Sequence, residues 1–177
     1  VYIPKANGKQ RPLGIPSLRD RIVQRAMLMA MEPIWESDFH RASYGFRPAR
    51  SVHHAIRTVK LQLQESDEQR TAGRWVIEGD LASYFETVHH RLLLKAVRKR
   101  IADQRFLALL WTCIKAGCVD RGLFCAASEG VPQGGVISPL LSNIMLHEFD
   151  AWMEANYLSK KVRKDRWAWN FGILKQR

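Results

Sequence analysis

Two segments far apart in the sequence constrain this chain more than its composition does. Trp75, Val76 and Ile77 form an apolar run into Asp80, after which Ser83, Tyr84, Phe85, Glu86 and Thr87 break the pattern. Aromatic and β-branched residues ahead of an acid predict a strand that ends on a carboxylate. Further on, Gly130, Val131, Pro132, Gln133, Gly134 and Gly135 lead through Ile137 into Ser138, Pro139 and an apolar helix. Ser138 and Pro139 read as the N-cap and first residue of that helix, which carries Leu141, Met145, Phe149 and Met153.

At 177 residues the chain can hold one ordinary domain or two small lobes, with enough apolar content to bury a core. Its 28 Lys and Arg against 17 Asp and Glu leave a formal charge of +11, which favours a polyanionic partner. Charge alone does not name that partner, since many small basic proteins bind no nucleic acid. The excess sits at both ends: eleven basic side chains against four acids over 1–60, and seven against one over 160–177. Cys113, Cys118 and Cys125 are odd in number and lack CxxC spacing, so neither a disulfide framework nor a zinc site is indicated, and a reducing cytoplasm fits. No run approaches the ~18 apolar residues of a spanning helix, and no signal peptide pattern opens the chain, so no membrane partner is expected. Val1 rather than Met stands first, which points to a piece of something longer.

Along the chain, Asn7-Gly8 between Lys5 and Lys9 predicts a basic β-hairpin with a two-residue turn over 1–13. Ile22, Ala26 and Met29, with Val23, Met27 and Ala30, have helical spacing from Leu18 to Pro33, where the proline bends or ends the helix. Ser51 is a plausible N-cap for a helix with Val52, Ile56, Val59 and Leu63 in one stripe and Arg57 and Lys60 off it. The polar stretch 65–73 is the best boundary between lobes. Helices are predicted over Leu92 to Ile101 and Phe106 to Ile114, the first basic through Arg91, Lys95, Arg98, Lys99 and Arg100. Cys118 to Ala127 reads as a hairpin centred on Gly122, and the segment from Leu158 as a basic tail rich in tryptophan.

Nucleotidyl transfer needs two divalent ions held by carboxylates at rigid strand ends, and Asp80 is placed for that. Taken alone, an Asp after a strand is as readily a turn former or a helix cap. The basic loop Tyr44 to Arg50 combines Arg47 and Arg50 with the ring of Phe46. That mixture suits a template strand, base stacking on an aromatic being worth ~1–3 kcal/mol; a Phe46 that pins the loop to the core accounts for it equally. His53-His54 and His89-His90 lack partners at ligand spacing and read as exposed helix-end histidines.

Four segments in order resemble one family. Ile3-Pro4-Lys5 with Arg11 to Pro16, Tyr44 to Arg50, Asp80 with Phe85, and Gly130 to Gly135 with Ser138-Pro139 look like the reverse transcriptase domain of bacterial group II intron-encoded proteins. The resemblance covers nearly the whole chain. It implies that Asp80 is the first metal-binding aspartate, with the backbone carbonyl of Leu81 reaching a second Mg2+ ion. Phe85 would pack against the sugar and exclude a ribose 2′ hydroxyl. Lys5 and Arg11 would hold the triphosphate through charge-assisted contacts. Gln133 would touch the incoming sugar, while Gly134 and Gly135 let the backbone approach the nascent pair. Read without the resemblance, Phe85 is a core residue, Lys5 and Arg11 are solvated hairpin charges and Gln133 is a turn residue.

The family's second acidic motif, a Tyr-x-Asp-Asp, has no counterpart here, since no two aspartates are adjacent; Asp150 and Asp165 are single acids. Glu86 stands where relatives usually have Asp, and Ala82-Ser83 replace a commoner Lys-Gly or Lys-Ser pair. The expected fold is therefore α+β, right-hand polymerase fingers over 1–73 and a partial palm over 74–157. The tail 158–177 leads toward the missing acidic hairpin. The implied parent is an RNA-directed DNA polymerase working on an RNA template, intron RNA among the candidates, with a DNA primer and deoxynucleoside triphosphates. The fragment itself is expected to be inactive. The alternatives are an RNA-binding maturase platform without polymerisation, and a defence or CRISPR-associated reverse transcriptase.

Overall fold

The computed structural model describes residues 2–4, 8, 10–64, 77–120 and 122–158. Strands β1 (Tyr2–Pro4) and β2 (Gln10–Pro12) form the expected antiparallel hairpin, with Ile3 opposite Arg11. The last described pair is Pro4 opposite Gln10, and the expected Asn7-Gly8 turn lies, apart from Gly8, outside the described residues. Gly8 in that connection has φ +77°. Six helices and a second hairpin follow: α1 (Leu18–Glu36), α2 (Val52–Gln64), α3 (Tyr84–Thr87), α4 (His90–Arg98), α5 (Gln104–Ile114), β3 (Cys118–Asp120), β4 (Leu123–Cys125) and α6 (Ser138–Met153). A π-helical turn, Glu154–Leu158, continues α6.

Local chemistry explains where these helices start. The hydroxyl of Ser17 accepts from the Asp20 amide at 3.2 Å and donates to the Asp20 carboxylate at 2.6 Å, closing the first turn of α1. Asp103 caps α5 by accepting from the amides of Arg105 and Phe106 at 2.8 and 3.1 Å. Helix α6 begins one residue earlier than Ser138-Pro139 suggested: Ile137 is the cap and Pro139 falls within the first turn, where a missing N–H costs nothing.

The core is helix on helix. Met27, Met31 and Trp35 of α1 meet Leu93 and Val97 of α4, Leu107, Leu110 and Ile114 of α5, and Leu140, Leu141 and Ile144 of α6. Each such side chain contributes about 1.5–3 kcal/mol on burial. Exposed ion pairs add little to this: Lys99 reaches Glu148 at 2.6 Å and Arg100 reaches Asp38 at 2.9 Å, each worth about 0–1 kcal/mol.

The structure departs from expectation in three elements. Helix α1 runs through Pro33 to Glu36, and its buried stripe is Gln24, Met27, Leu28, Met31 and Trp35, whereas Ile22 and Met29 are exposed. The α2 stripe of Val52, Ile56 and Val59 is exposed too, while Ala55 and Thr58 are half-buried. Most consequentially, positions 77–80 form no strand, and Ile77 is 95% exposed. A strand requires a neighbour to take up its N–H and C=O groups, and none of the described residues pairs with this segment. Trp75 and Val76, the boundary at 65–73 and the tail from 159 onward lie outside the described residues.

Candidate nucleotide site

The turn 130–135 is where the motif segments meet. On one side it joins the α3 region: the Gly130 amide donates to Val88 O at 2.8 Å and the Val131 amide to Phe85 O at 2.7 Å. Gly130 has φ +84°, and a Cβ there would lie 2.7 Å from the Glu86 carbonyl oxygen, so glycine is required twice over. On the other side the turn joins the segment after β2, where the Gly14 amide donates to Gln133 O at 2.7 Å. Gly134, at φ +101°, faces the Gly14 carbonyl, and a Cβ would collide with that oxygen.

Side chains complete the seam. Gln133 Nε2 donates to Glu86 Oε1 at 2.9 Å, linking the glycine-rich turn directly to the helix after Asp80. The buried Gln24 of α1 accepts from the Val136 amide at 2.8 Å, and Ser138 Oγ donates to Pro132 O at 2.7 Å. His90 Nε2 lies 2.5 Å from Gly130 O, and the ring meets Trp111 edge-on. His90 is buried, which corrects its reading as an exposed helix-end histidine; His89 is exposed and caps α4 by accepting from the Leu92 amide at 3.3 Å. Gln24 could have been suspected as the one polar residue on the buried stripe of α1. His90 gave no such signal, because its partner is 40 positions away.

Tyr84 anchors α3 to α6. Its hydroxyl donates to Ser142 O at 2.9 Å, and burial pushes its pKa from 10.0 up to about 12. Phe85 is half-buried, packed against the core and edge-on to Tyr84 at 6.0 Å. Burial, then the nearby Asp20 charge, also raises the Cys113 thiol, which disfavours its reactive thiolate.

The carboxylate half of the expected site is different. Asp80 is exposed and makes no hydrogen bond among the described residues, and Leu81 is 57% exposed beside it. The described residues contain no cluster of three or more His, Cys, Asp or Glu side chains with metal-binding geometry. Lys5 lies outside the described residues, and of Arg11 only the backbone is described.

The loop from Tyr44 to Arg50 is held by the residues expected to touch nucleic acid. Arg47 is 7% exposed; its guanidinium pairs with both Glu36 oxygens, donates to His40 O and Ser43 O at 2.9 Å, and covers the Phe39 ring. Arg50 donates to Arg41 O at 2.6 Å and to Ser43 O at 3.2 Å, and lies over the Tyr44 ring. Tyr44 and Thr58 share a 2.7 Å hydrogen bond, and Asn143 Nδ2 donates to Gly45 O at 2.8 Å. These contacts leave Phe46 outward, 73% exposed at φ +52°, so it does not pin the loop to the core.

Comparison with known proteins fits this geometry. Residues 3–164 match the reverse transcriptase (RNA-dependent DNA polymerase) family. Protein YkfC of Escherichia coli strain K12 is 76% identical over 177 residues, covering 100% of this chain and 46% of that protein. The group II intron-encoded protein LtrA of Lactococcus lactis subsp. cremoris is 37% identical over 167 residues, 94% of this chain and 26% of its own length. Nuclear intron maturase 2, mitochondrial, of Arabidopsis thaliana is 28% identical, covering 77% of this chain and 23% of its own. The chain thus spans less than half the length of these relatives. The kinship expected from four short segments extends over most of the sequence, and the chain belongs to the reverse transcriptase family.

Proposed function

We propose that this chain supplies the fingers, over 1–73, and part of the palm, over 74–157, of an RNA-directed DNA polymerase of the group II intron type. The observation that carries this reading is the seam at 130–135. Backbone and side-chain hydrogen bonds bring Gly14 and Gln24, each more than a hundred positions away, and the Phe85 and Val88 carbonyls onto the turn and Val136. Such a rigid, glycine-lined surface beside a half-buried aromatic suits the sugar and base of a nucleotide. In this reading Phe85 excludes a 2′ hydroxyl, Gln133 orients the sugar with its amide fixed by Glu86, and Gly134 keeps the backbone close. Lys5 and Arg11 neutralise triphosphate charge. Arg47 and Arg50 order the template loop rather than contact the template, and Phe46 offers the stacking face.

Mg2+ is the expected cofactor, and its donors are tested by the residues present. Asp80 and the Leu81 carbonyl would be its ligands, and bound Mg2+ would supply charge stabilisation for phosphoryl transfer. One exposed carboxylate and one carbonyl do not fit a two-ion centre, and this fragment is inferred to bind nucleic acid while polymerising nothing. RNA template, DNA primer and deoxynucleoside triphosphates are the proposed partners of the longer protein, and a reducing bacterial cytoplasm is its proposed setting.

Primer extension tests the reading. The 177-residue chain is expected to incorporate no deoxynucleotide, and appreciable incorporation would show that another acid completes the site. In a longer protein carrying the second acidic motif, Asp80→Ala should abolish extension and leave RNA binding largely intact. Retained synthesis would remove Asp80 from the mechanism, whereas a longer protein that binds RNA but extends no primer even with Asp80 intact would favour the second reading, the maturase platform.

A further inference from the structure

A groove of about 500 Å³ runs between α4 and α5, and no residue of the turn 130–135 lines it. Its floor is Leu94, Leu107, Ala108 and Trp111. Along one wall stand Arg91, Lys95 and Arg98, at i, i+4 and i+7 and hence on one helix face. They are spaced by about 6 Å and about 4.5 Å along the axis. No acidic side chain lines the groove.

Neighbouring cations behave differently. Lys99 is paired with Glu148 and Arg100 with Asp38, whereas Arg91, Lys95 and Arg98 have no ion-pair partner among the described residues. Like charges at such spacing repel one another weakly where water and salt screen them, and an anionic occupant would turn that repulsion into attraction. The floor asks for a second property in that occupant, a flat face to set beside the half-buried Trp111, whose ring also carries the Lys115 ammonium at 5.3 Å. A helical peptide would have to put acids at three successive rim positions while keeping its apolar residues on the floor. A nucleotide chain carries a phosphate at every unit and a base at every unit. Single strands alone have bases free to leave the stack.

We propose that the α4–α5 groove is a docking site for single-stranded RNA, with phosphates along Arg91, Lys95 and Arg98 and a base lodged against Trp111. This goes beyond the polymerase reading and does not depend on it. His90 joins the groove to the seam, its ring edge-on to Trp111 at 6.0 Å and its Nε2 against Gly130 O. A strand held here would therefore lie next to the proposed nucleotide site.

The test is fluorescence anisotropy of a short labelled single-stranded RNA with the 177-residue chain, over a range of salt. The three wall residues are exposed, so the triple variant Arg91→Gln, Lys95→Gln, Arg98→Gln is expected to keep its circular dichroism and melting temperature. Its affinity should fall roughly ten-fold or more at low salt. Its slope of log affinity against log salt should become shallower by about two, each single-strand phosphate contact contributing about 0.7. Trp111→Phe should weaken binding a few-fold without changing the slope. A wild-type chain that does not bind the RNA, or a folded triple variant with unchanged affinity and slope, would overturn the proposal. So would a triple variant that keeps RNA binding but loses affinity for a Glu-rich amphipathic peptide, which would make the groove a protein-docking surface. Primer extension plays no part in this assay, so its failure leaves the polymerase reading standing.

Discussion

The turn at 130–135 and the segment at 77–83 are expected to serve one chemistry, yet they are built in opposite ways. The turn is held from three directions, by Phe85 and Val88, by Gly14 and by Gln24. The segment around Asp80 is exposed and makes no hydrogen bond to the turn. The difference teaches which part of a shared site a chain can assemble alone. A surface made of backbone needs only the segments that donate and accept, and all of them are present here. A carboxylate held for metal binding needs flanking strands and further acids, which the described residues do not provide.

The comparison breaks most visibly at Gly134. Gly134→Ala puts a Cβ onto the Gly14 carbonyl at a φ of +101°, and should cost about 3 kcal/mol or more in thermal or urea unfolding. His90→Ala should follow at about 2–3 kcal/mol, since it leaves the Gly130 carbonyl buried without its partner and opens a gap beside Trp111.

Tyr84→Phe sharpens the picture through pH. Loss of the bond to Ser142 O should cost about 1 kcal/mol at neutral pH, read by urea unfolding. The folded pKa of Tyr84 lies above the ordinary 10.0, at about 12, so its stabilising effect is complete below pH 10 and is lost as pH rises toward 12. The gap between wild type and Tyr84→Phe should close over that window. The smallest effect belongs to the other region: Asp80→Ala should change stability by no more than about 0.5 kcal/mol, because the side chain is exposed and makes no hydrogen bond among the described residues. A large loss there would mean that Asp80 is part of the seam after all.

Much of this architecture could be read along the sequence because its determinants are local. The hairpins around Gly8 and Gly122 and the helix entered at Pro139 each depend on residues within a few positions. Contacts across large separations were less legible. Gln24 bonds Val136 across 112 positions and Asn143 bonds Gly45 across 98, and no periodicity encodes either. Arg47 read as a free cation because its sequence neighbours are basic, whereas its counter-ion is Glu36 on the preceding helix. The expected strand into Asp80 lies partly outside the described residues, and where it is described, over 77–80, no strand forms. Apolar, β-branched residues favour a strand only where another edge receives them.

Amide hydrogen exchange on the 177-residue chain compares the two regions most directly. The account predicts slow exchange, approaching the global unfolding limit, for the amides of Gly14, Gly130, Val131 and Val136, each of which donates across the seam. It predicts near-coil rates for positions 77–80. Rapid exchange at Gly130 and Val131, or protection at 77–80 equal to theirs, would contradict it.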